Sequence, residues 1–232
     1  MLYVIPTPIG NLEDISLRAS RVLSEVEVLL VEDSRVSGKL LKHLGIETKM
    51  QAFHAHNEHQ QLQKIITELK SGKTFGLISD AGSPGLSDPG YLLIRACRDE
   101  GVELTCLPGP SAVTTALITS GLPCDRFYFE GFLPHKKGRK TRLEHLAELE
   151  ETFILFESPY RLVKCLKELT MHCGENRLAA VCRELTKLHE EVKFDSLSNL
   201  LEYYQGDGKC KGEIVIVVDG KTKRKLKAKT QS

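Results

Sequence analysis

Residues 77–90, LISDAGSPGLSDPG, are the most informative part of this chain, because a short apolar run changes abruptly into turn-forming residues. From Asp80 onward, glycine, proline, serine and aspartate fill nearly every position. Such a change is typical of a buried strand that ends in a loop, and it predicts a new helix near Pro89. Ligands bind at loops that leave the carboxyl ends of strands in open α/β sheets. The carboxylates of Asp80 and Asp88 suit hydroxyls or amines, although a purely structural turn also explains these residues.

The same change from an apolar run to turn-forming residues occurs at two other places. Residues 2–5 form an apolar run that precedes PTPIGN, and residues 102–107 form another that precedes PGPSA. In the second case Ser111 is placed to cap the helix that follows, where backbone N–H groups can face a ligand. Neither loop matches GxGxxG or GxxxxGK[ST], which excludes the common nucleotide-binding fingerprints. Three such loops predict one composite pocket.

Apolar periodicity divides the chain into two α/β domains and a tail. Residues 1–120 form the first domain, with a largely parallel sheet, and residues 121–220 form the second. In the first domain we predict strands at 2–5, 28–31, 75–79 and 102–107 and helices at 15–26, 39–44, 60–70, 91–100 and 111–120. In the second we predict strands at 126–130, 152–156, 178–182, 191–194 and 214–218 and helices at 140–150, 160–171 and 197–204. Residues 221–232 are predicted to be a basic, disordered tail.

Composition excludes several classes of protein. The 232 residues are 41% hydrophobic, enough for one or two ordinary cores, and no apolar run approaches the roughly 18 to 20 residues of a membrane span. The N-terminus has no basic region before its apolar run, so we predict no signal peptide and a cytoplasmic protein. Seven cysteines without a CxxC pair argue against a disulfide framework and against a metal site.

Positive charge is concentrated at two places. The net charge of +1 includes six cations in the tail, which leaves −5 for residues 1–220. A second basic cluster follows the aromatic run of residues 127–132, and we predict that it binds RNA, since cations beside aromatic rings suit phosphate contact and base stacking. Its members are Lys136, Lys137, Arg139, Lys140 and Arg142. The density of this cluster argues against a place in a core, whereas the aromatic run is interpreted as a buried strand.

Several stretches resemble one family, the bacterial ribosomal RNA 2′-O-ribose methyltransferases of the tetrapyrrole-methylase superfamily. The combination of PTPIGN and SDAGSP is specific for this branch, since cobalamin and sirohaem methylases carry different first and second loops. The resemblance runs in order from residue 2 to about residue 220. Its motifs are YVIPTPIGNLEDIS, VEDSR, FHAHNE, LISDAGSPGLSDPG, LPGPSA, GLPCDRFYFEGFLP, FESPYR, RELTK and KGEIVIVVDG.

The resemblance implies an S-adenosylmethionine-dependent enzyme that methylates the 2′-hydroxyl of a cytidine ribose in small-subunit ribosomal RNA. It also implies two α/β domains, the second with a mixed sheet, and a cofactor cleft between them. Two other functions stay open: a methyltransferase for a tetrapyrrole or another small molecule, and a ribosome-binding protein without activity. A homodimer is also implied, for which Val113, Ala116 and Leu117 offer an apolar face.

Site residues are carried over where the motifs match. The resemblance implies that the cofactor is contacted by Pro8, Ser79, Asp80, Ser83, Ser111, Ala112, Phe156, Glu157, Leu185 and Gly212. Two of these, Phe156 and Leu185, are apolar enough to be simple core residues. The role of Gly212 would be to allow close approach.

Catalytic candidates are the polar residues of the matched motifs, because a weakly acidic ribose hydroxyl needs a base or strong polarisation. They are Glu32, Asp33, Arg35, His56, Asn57, Glu58, Glu157, Arg161 and Lys187, with His54, Arg183 and Glu184 beside them. A structural explanation stays open for several: Glu157 and Arg161 could form an ion pair within one helical turn, and the histidines could be exposed and inert.

Overall fold

The computed structural model describes residues 1–206 and 210–221, so most of the predicted basic tail lies outside the described residues. The chain divides into two compact units, Met1–Ala112 and Val113–Ser232, whereas apolar periodicity predicts a boundary after residue 120. Within the described residues, no helix is long and apolar enough to cross a membrane.

The first unit is an α/β fold with a five-stranded parallel sheet. Its strands, in chain order, are β1 (Leu2–Val4), β2 (Val28–Val31), β3 (Met50–Ala52), β4 (Phe75–Leu77) and β5 (Leu104–Cys106). They are arranged in the order β3-β2-β4-β1-β5, and every neighbouring pair is parallel. The helices are α1 (Leu17–Glu25), α2 (Ser34–Leu44), α3 (Glu58–Lys70) and α4 (Tyr91–Asp99).

Apolar residues on both faces of this sheet are buried, as a parallel sheet requires. Leu2, Val4 and Phe75 pack on one face, while Ile5 and Leu29 pack on the other. This arrangement confirms the prediction of a parallel α/β domain. It also places the loops after β1, β2, β4 and β5 at one edge of the sheet, because all the strands run in the same direction.

Two elements of the first unit differ from the prediction. Helix α2 begins at Ser34 rather than at residue 39, because Asp33 caps it and accepts a hydrogen bond from the Arg35 N–H at 2.8 Å. Gly38 lies inside this helix, and its low helix propensity made the first turn look like a loop. Strand β3 was missed altogether, since a three-residue edge strand with exposed ends carries no apolar pattern.

The second unit begins at the second residue of helix α5 (Ala112–Ser120) and contains a mixed sheet. Its strands are β6 (Phe127–Phe132), β7 (Thr152–Glu157), β8 (Leu178–Arg183), β9 (Glu191–Ser196) and β10 (Ile214–Val218). The sheet order is β6-β7-β10-β8-β9, in which only β6 and β7 are parallel. The helices of this sheet are α6 (Arg139–Glu148), α7 (Leu162–Cys173) and α8 (Leu197–Gln205). The predicted mixed sheet is confirmed.

The aromatic run is a strand, but the prediction that it is buried was wrong. Among the described residues, β6 is an edge strand that pairs only with β7, and the side chains at its two ends, Phe127 and Phe132, are exposed. In helix α5, by contrast, a face that was predicted to be exposed is buried. Val113, Ala116 and Leu117 are buried within the chain, so they do not form the exposed apolar face that was predicted for a dimer interface.

Candidate active site

The loops after β1 and β4 are joined where they leave the sheet of the first unit. The Thr7 N–H donates to the Gly82 carbonyl, and the Gly82 N–H donates back to the Thr7 carbonyl, both at 2.9 Å. The Thr7 hydroxyl donates to the Ser79 carbonyl at 3.1 Å, and Thr7 itself is 2% exposed. The PTPIGN and SDAGSP loops are therefore joined directly to each other, as the prediction of a composite pocket requires.

Two glycines allow the backbone of these loops to pack closely against neighbouring side chains. A Cβ at Gly109, in the PGPSA loop, would lie 2.7 Å from the Pro6 side chain of the first loop. A Cβ at Gly90 would lie 2.8 Å from Leu77, and its φ of +129° also disfavours any other residue. Helix α4 begins at Tyr91, directly after this glycine, where the sequence predicts its start.

Four acidic residues gather at the ends of β2 and β4 and in the loop after β4. We call Glu32, Asp33, Asp80 and Asp88 the carboxylate cluster. The Asp33 N–H donates to Asp80 Oδ1 at 3.1 Å, which ties the end of β2 to the end of β4. Burial, with the neighbouring Asp80 charge adding to it, raises the pKa of Glu32. Burial also raises the pKa of Asp80.

Asp88 has the most perturbed carboxyl group of this cluster. Burial, followed by the charge of Glu32, raises the pKa of Asp88 to about 6, against a bond to Ser79 that lowers it. Among the described residues, Glu32, Asp80 and Asp88 form no ion pair with a basic side chain of the protein. The cluster therefore holds negative charge in a partly buried place, which favours a cationic ligand.

The fourth member of the cluster is already neutralised. Asp33 forms a two-point ion pair with Arg35, with Nη2 at 2.6 Å from Oδ2, and it also caps α2. Bonds from the Arg35 side chain and backbone lower the pKa of Asp33 to about 2. Two residues predicted to be catalytic thus serve the start of a helix, and the carboxylate of Asp33 is a weak base.

The FHAHNE loop follows β3, at the same edge of the sheet, and is held by its own polar residues. Asn57 accepts a hydrogen bond from the His54 N–H at 2.8 Å and donates to the Ala52 carbonyl at 3.1 Å. Glu58 is 7% exposed and accepts a bond from the Gly90 N–H at 3.1 Å, which joins this loop to the loop after β4. Asn57 and Glu58 therefore position loops, whereas His56 is exposed.

The other residues that were predicted to contact the cofactor in the first unit lie in the same loops. Pro8 and Ser79 are buried, Asp80 is exposed, and Ser83, Ser111 and Ala112 are partly exposed. The Ser79 hydroxyl donates to the Ala81 carbonyl at 3.1 Å. All six are thus placed at the carboxyl edge of the parallel sheet.

In the second unit, Glu157 lies at the end of β7 and is the centre of a buried ion-pair network. It accepts bonds from Arg161 Nε at 2.7 Å and from the Ser158 N–H at 2.8 Å. Its other oxygen, Oε2, lies 3.5 Å from Arg139 Nη2. Arg139 also pairs with Glu168 at 2.7 Å. The structural explanation of the Glu157–Arg161 pair is the one that these contacts favour.

The RELTK motif is likewise occupied by internal pairs. Lys187 pairs with Glu184 at 2.8 Å and with Glu213 at 3.3 Å. Burial lowers the pKa of Lys187, but the bonds to these two acids outweigh it, so the pKa is raised and the amine stays protonated and cannot accept a proton. Arg183 pairs with Glu191 of the neighbouring strand at 2.9 Å.

Gly212 does allow a close approach, but the approaching group belongs to the protein. A Cβ at Gly212 would lie 2.3 Å from the Glu184 side chain, and the φ of Gly212 is +88°. Leu185 is 6% exposed, and Phe156 packs its ring against Phe129 at 5.2 Å between centroids. These contacts favour the alternative that Leu185 and Phe156 are packing residues of the protein interior.

The basic cluster is only partly exposed. Arg139 is 5% exposed, so the expectation that this cluster lies outside the core was wrong for this residue. Arg142 forms an ion pair with Glu130 and a hydrogen bond with Tyr128 at 2.6 Å. Lys136, Lys137 and Lys140 are exposed and remain able to contact phosphate.

Two residues that the structure places in the site were not among the predicted site residues. Asp88 was noticed as a carboxylate but was not carried into the site, and its closeness to Glu32 depends on the pairing of β2 with β4. Thr7 was not singled out, although a buried threonine between two prolines in a loop is a usable signal. Within the described residues, no group of histidines, cysteines and acids has the arrangement of a metal site.

Comparison with known proteins gives a consistent family. The model of the Tetrapyrrole (Corrin/Porphyrin) Methylases matches residues 1–201. Proteins called ribosomal RNA small subunit methyltransferase I are similar over nearly the whole chain. The one from Vibrio cholerae serotype O1 is 47% identical over 95% of this chain and 77% of its own length. The one from Xylella fastidiosa strain Temecula1 is 48% identical over 94% of this chain and 81% of its own length.

Solved structures of low identity share the fold. A cobalt precorrin-4 methyltransferase of cobalamin biosynthesis is 19% identical, with a TM-score of 0.69 over 94% of each chain. A diphthine synthase is 16% identical, with a TM-score of 0.72 over 94% of this chain and 89% of its own. The loops, the parallel sheet and the extent of these matches lead to one conclusion. The chain belongs to the tetrapyrrole methylase family, in which its relatives include the ribosomal RNA small subunit methyltransferase I proteins.

Proposed function

We propose that this chain transfers a methyl group from S-adenosylmethionine to the 2′-hydroxyl of a cytidine ribose in small-subunit ribosomal RNA. The observation that carries the proposal is the 42–48% identity to ribosomal RNA small subunit methyltransferase I proteins over nearly the whole chain. The ribose position and the base come from the resemblance of PTPIGN, SDAGSP and FESPYR to the 2′-O-ribose methyltransferases.

The carboxylate cluster fits the charge of this cofactor. S-adenosylmethionine carries a sulfonium and an ammonium group, and both cations need negative partners when they leave water. Asp80 and Asp88 offer such partners, since neither forms an ion pair with a basic side chain among the described residues, and Ser79 adds a hydroxyl beside them. Pro8, Ser83, Ser111 and Ala112 complete the proposed contacts from the adjacent loops. For Phe156 and Leu185 the proposal rests on the resemblance alone.

The proposed chemistry asks the protein for alignment and for a proton acceptor. The bound cofactor supplies an electrophilic methyl group, so the ribose oxygen must be held in line with it, and near-attack geometry contributes roughly 7 to 11 kcal/mol. We propose Glu32 as the base, because it lies within the cluster and burial, with the charge of Asp80, raises its pKa. The bonds of Asp33, Arg35, Asn57 and Glu58 give these residues positioning roles instead.

The RNA half of the proposal uses three exposed lysines of the second unit, Lys136, Lys137 and Lys140. A methyltransferase for a small tetrapyrrole would not need them. We also propose a cytoplasmic location, where ribosomal subunits are present. A homodimer is proposed from the resemblance only, and light scattering that gives the mass of one chain at micromolar concentration would remove it.

Methyl transfer to defined acceptors tests the function directly. The purified chain and methyl-labelled cofactor are incubated with unmodified small subunits, with their naked RNA and with a tetrapyrrole. We expect nucleoside mass spectrometry to find 2′-O-methylcytidine in the RNA. Transfer to the tetrapyrrole alone would favour the small-molecule alternative, and cofactor binding without any transfer to the subunit or its RNA would favour a non-catalytic protein. Glu32→Gln should reduce the rate while cofactor affinity changes little.

A further inference from the structure

Two exposed aromatic side chains lie at the edge of the second unit's sheet where β6 and β7 end. These strands are parallel neighbours, so their carboxyl ends lie on the same side of the sheet. Phe132 ends β6 and is 54% exposed. Tyr160 follows β7 in a short 3₁₀ turn and is 96% exposed.

A contact between two loops brings cations next to Tyr160. Arg161 Nη1 lies 2.8 Å from the ring nitrogens of His135, so the segment that contains Tyr160 adjoins the segment that contains Lys136 and Lys137. Each of these segments is also held by a contact with a buried charged residue. Glu157 holds Arg161 at 2.7 Å, and Arg139, which is buried, donates to the Pro134 carbonyl at 3.2 Å.

The exposed charge of this edge is positive, because the nearby Glu157 is buried and paired with arginines. Glu157 is 2% exposed and is shared by Arg139 and Arg161. By contrast, the ammonium groups of Lys136 and Lys137 are exposed to solvent. Charge complementarity therefore selects a polyanion for this surface, and the exposed ring selects a partner with a flat face.

We propose that Tyr160 stacks on a base of unpaired RNA whose phosphates contact Lys136 and Lys137. This inference rests on the proposed function and narrows its substrate to a single-stranded element, such as a loop or a bulge. In a duplex the base faces are covered by their neighbours, so a protruding ring reaches a base only where the RNA is unpaired. Stacking needs the aromatic ring and not the hydroxyl, so phenylalanine should replace Tyr160 without loss.

Fluorescence anisotropy with two RNA probes tests this inference. One probe is an unpaired oligoribonucleotide of about 12 nucleotides, within the usual site sizes, and the other is a blunt-ended duplex of equal charge without unpaired nucleotides. Tyr160→Ala should weaken binding of the unpaired probe about 5- to 150-fold, as loss of one stacked base does. Tyr160→Phe should bind like the wild type. The duplex should bind all three proteins alike.

A matched control lies at the other edge of the same sheet. Phe194, in β9, is also an exposed aromatic residue, and Phe194→Ala should leave both affinities unchanged. The inference is overturned if Tyr160→Ala binds the unpaired probe as the wild type does, if both probes are weakened equally, or if the wild type does not prefer the unpaired probe. Methyl transfer to ribosomal RNA that persists in any of those cases would leave the proposed function intact.

Discussion

Both sheets carry acidic residues where strands end, but these residues have opposite surroundings in the two units. In the first unit, Glu32, Asp80 and Asp88 are crowded together without a basic partner among the described residues, and their pKa values rise. In the second unit, Glu157 and Arg161 belong to a buried network that neutralises both. Uncompensated charge is costly and is kept where a ligand needs it, whereas a paired charge holds a loop in place.

The largest expected effect is on stability, from Glu157→Gln. The substitution leaves Arg139 and Arg161 with less negative charge in a buried place, and we expect a loss of about 3 kcal/mol in the free energy of unfolding. Urea denaturation measures it. Glu144→Gln is the control, because its partner Lys140 is exposed and the pair is worth well under about 1 kcal/mol. If both variants lost the same free energy of unfolding, the network around Glu157 would stabilise the fold no more than an exposed ion pair does.

The next effect concerns RNA binding by the three exposed lysines. If Lys136, Lys137 and Lys140 each contact a phosphate, their replacement by alanine should flatten the slope of log affinity against log salt by about 2 to 3 units. Cofactor affinity should not change. Lys167, an exposed lysine of α7, provides the control substitution. An unaltered slope in the triple variant would show that phosphate contacts lie elsewhere.

A smaller effect is expected from Asp88→Asn, and it depends on pH. Because burial raises the pKa of Asp88 to about 6, the folded protein binds a proton more tightly than the unfolded chain does. The carboxylate therefore lowers stability as pH rises from about 4 through about 6, and the penalty is fully present at pH 7. Asp88→Asn should raise the stability of the protein without cofactor by about 1 kcal/mol at pH 7, after allowance for solvent. Near pH 4 the two proteins should unfold alike.

The same substitution should change how cofactor binding responds to pH. In the wild type, protonation of Asp88 below about pH 6 removes a negative charge, so affinity for cationic S-adenosylmethionine should fall there. Calorimetric titrations between about pH 5 and 8 follow this change. A wild-type profile that is flat through pH 6, or a variant that keeps the decline, would exclude Asp88 from the cation site.

Much of the fold could be predicted because its signals are local. The apolar run of β2 and the breakers after β4 each lie within a few residues, and the predicted bounds of β2 and β10 match the structure. Strand β3 carried no such signal, because its three residues are stabilised by pairing with β2 and not by their own pattern.

The site was harder to predict, because its electrostatics depend on partners distant in sequence. The Glu157–Arg161 ion pair was foreseen because the two residues are only four positions apart. The predicted helical turn was wrong, since Glu157 ends strand β7 and Arg161 lies in the short 3₁₀ turn that follows it. Arg139 lies on another helix, and Glu191 reaches Arg183 only across paired strands. Motif chemistry alone therefore made the paired residues of FESPYR and RELTK look as reactive as the carboxylate cluster.

The central claim is that Asp80 and Asp88 of the carboxylate cluster bind the cofactor, while the network around Glu157 is structural. Calorimetric titration of S-adenosylmethionine into Asp80→Ala and Glu157→Gln, each with its thermal midpoint, tests it most directly. We predict that Asp80→Ala weakens affinity about ten- to hundredfold, as expected for a lost hydrogen bond to a charged group, with little change in the midpoint. Glu157→Gln should lower the midpoint and leave affinity within about twofold of the wild type. Unchanged affinity in Asp80→Ala, or a large loss in Glu157→Gln at a temperature where it is folded, would contradict the account.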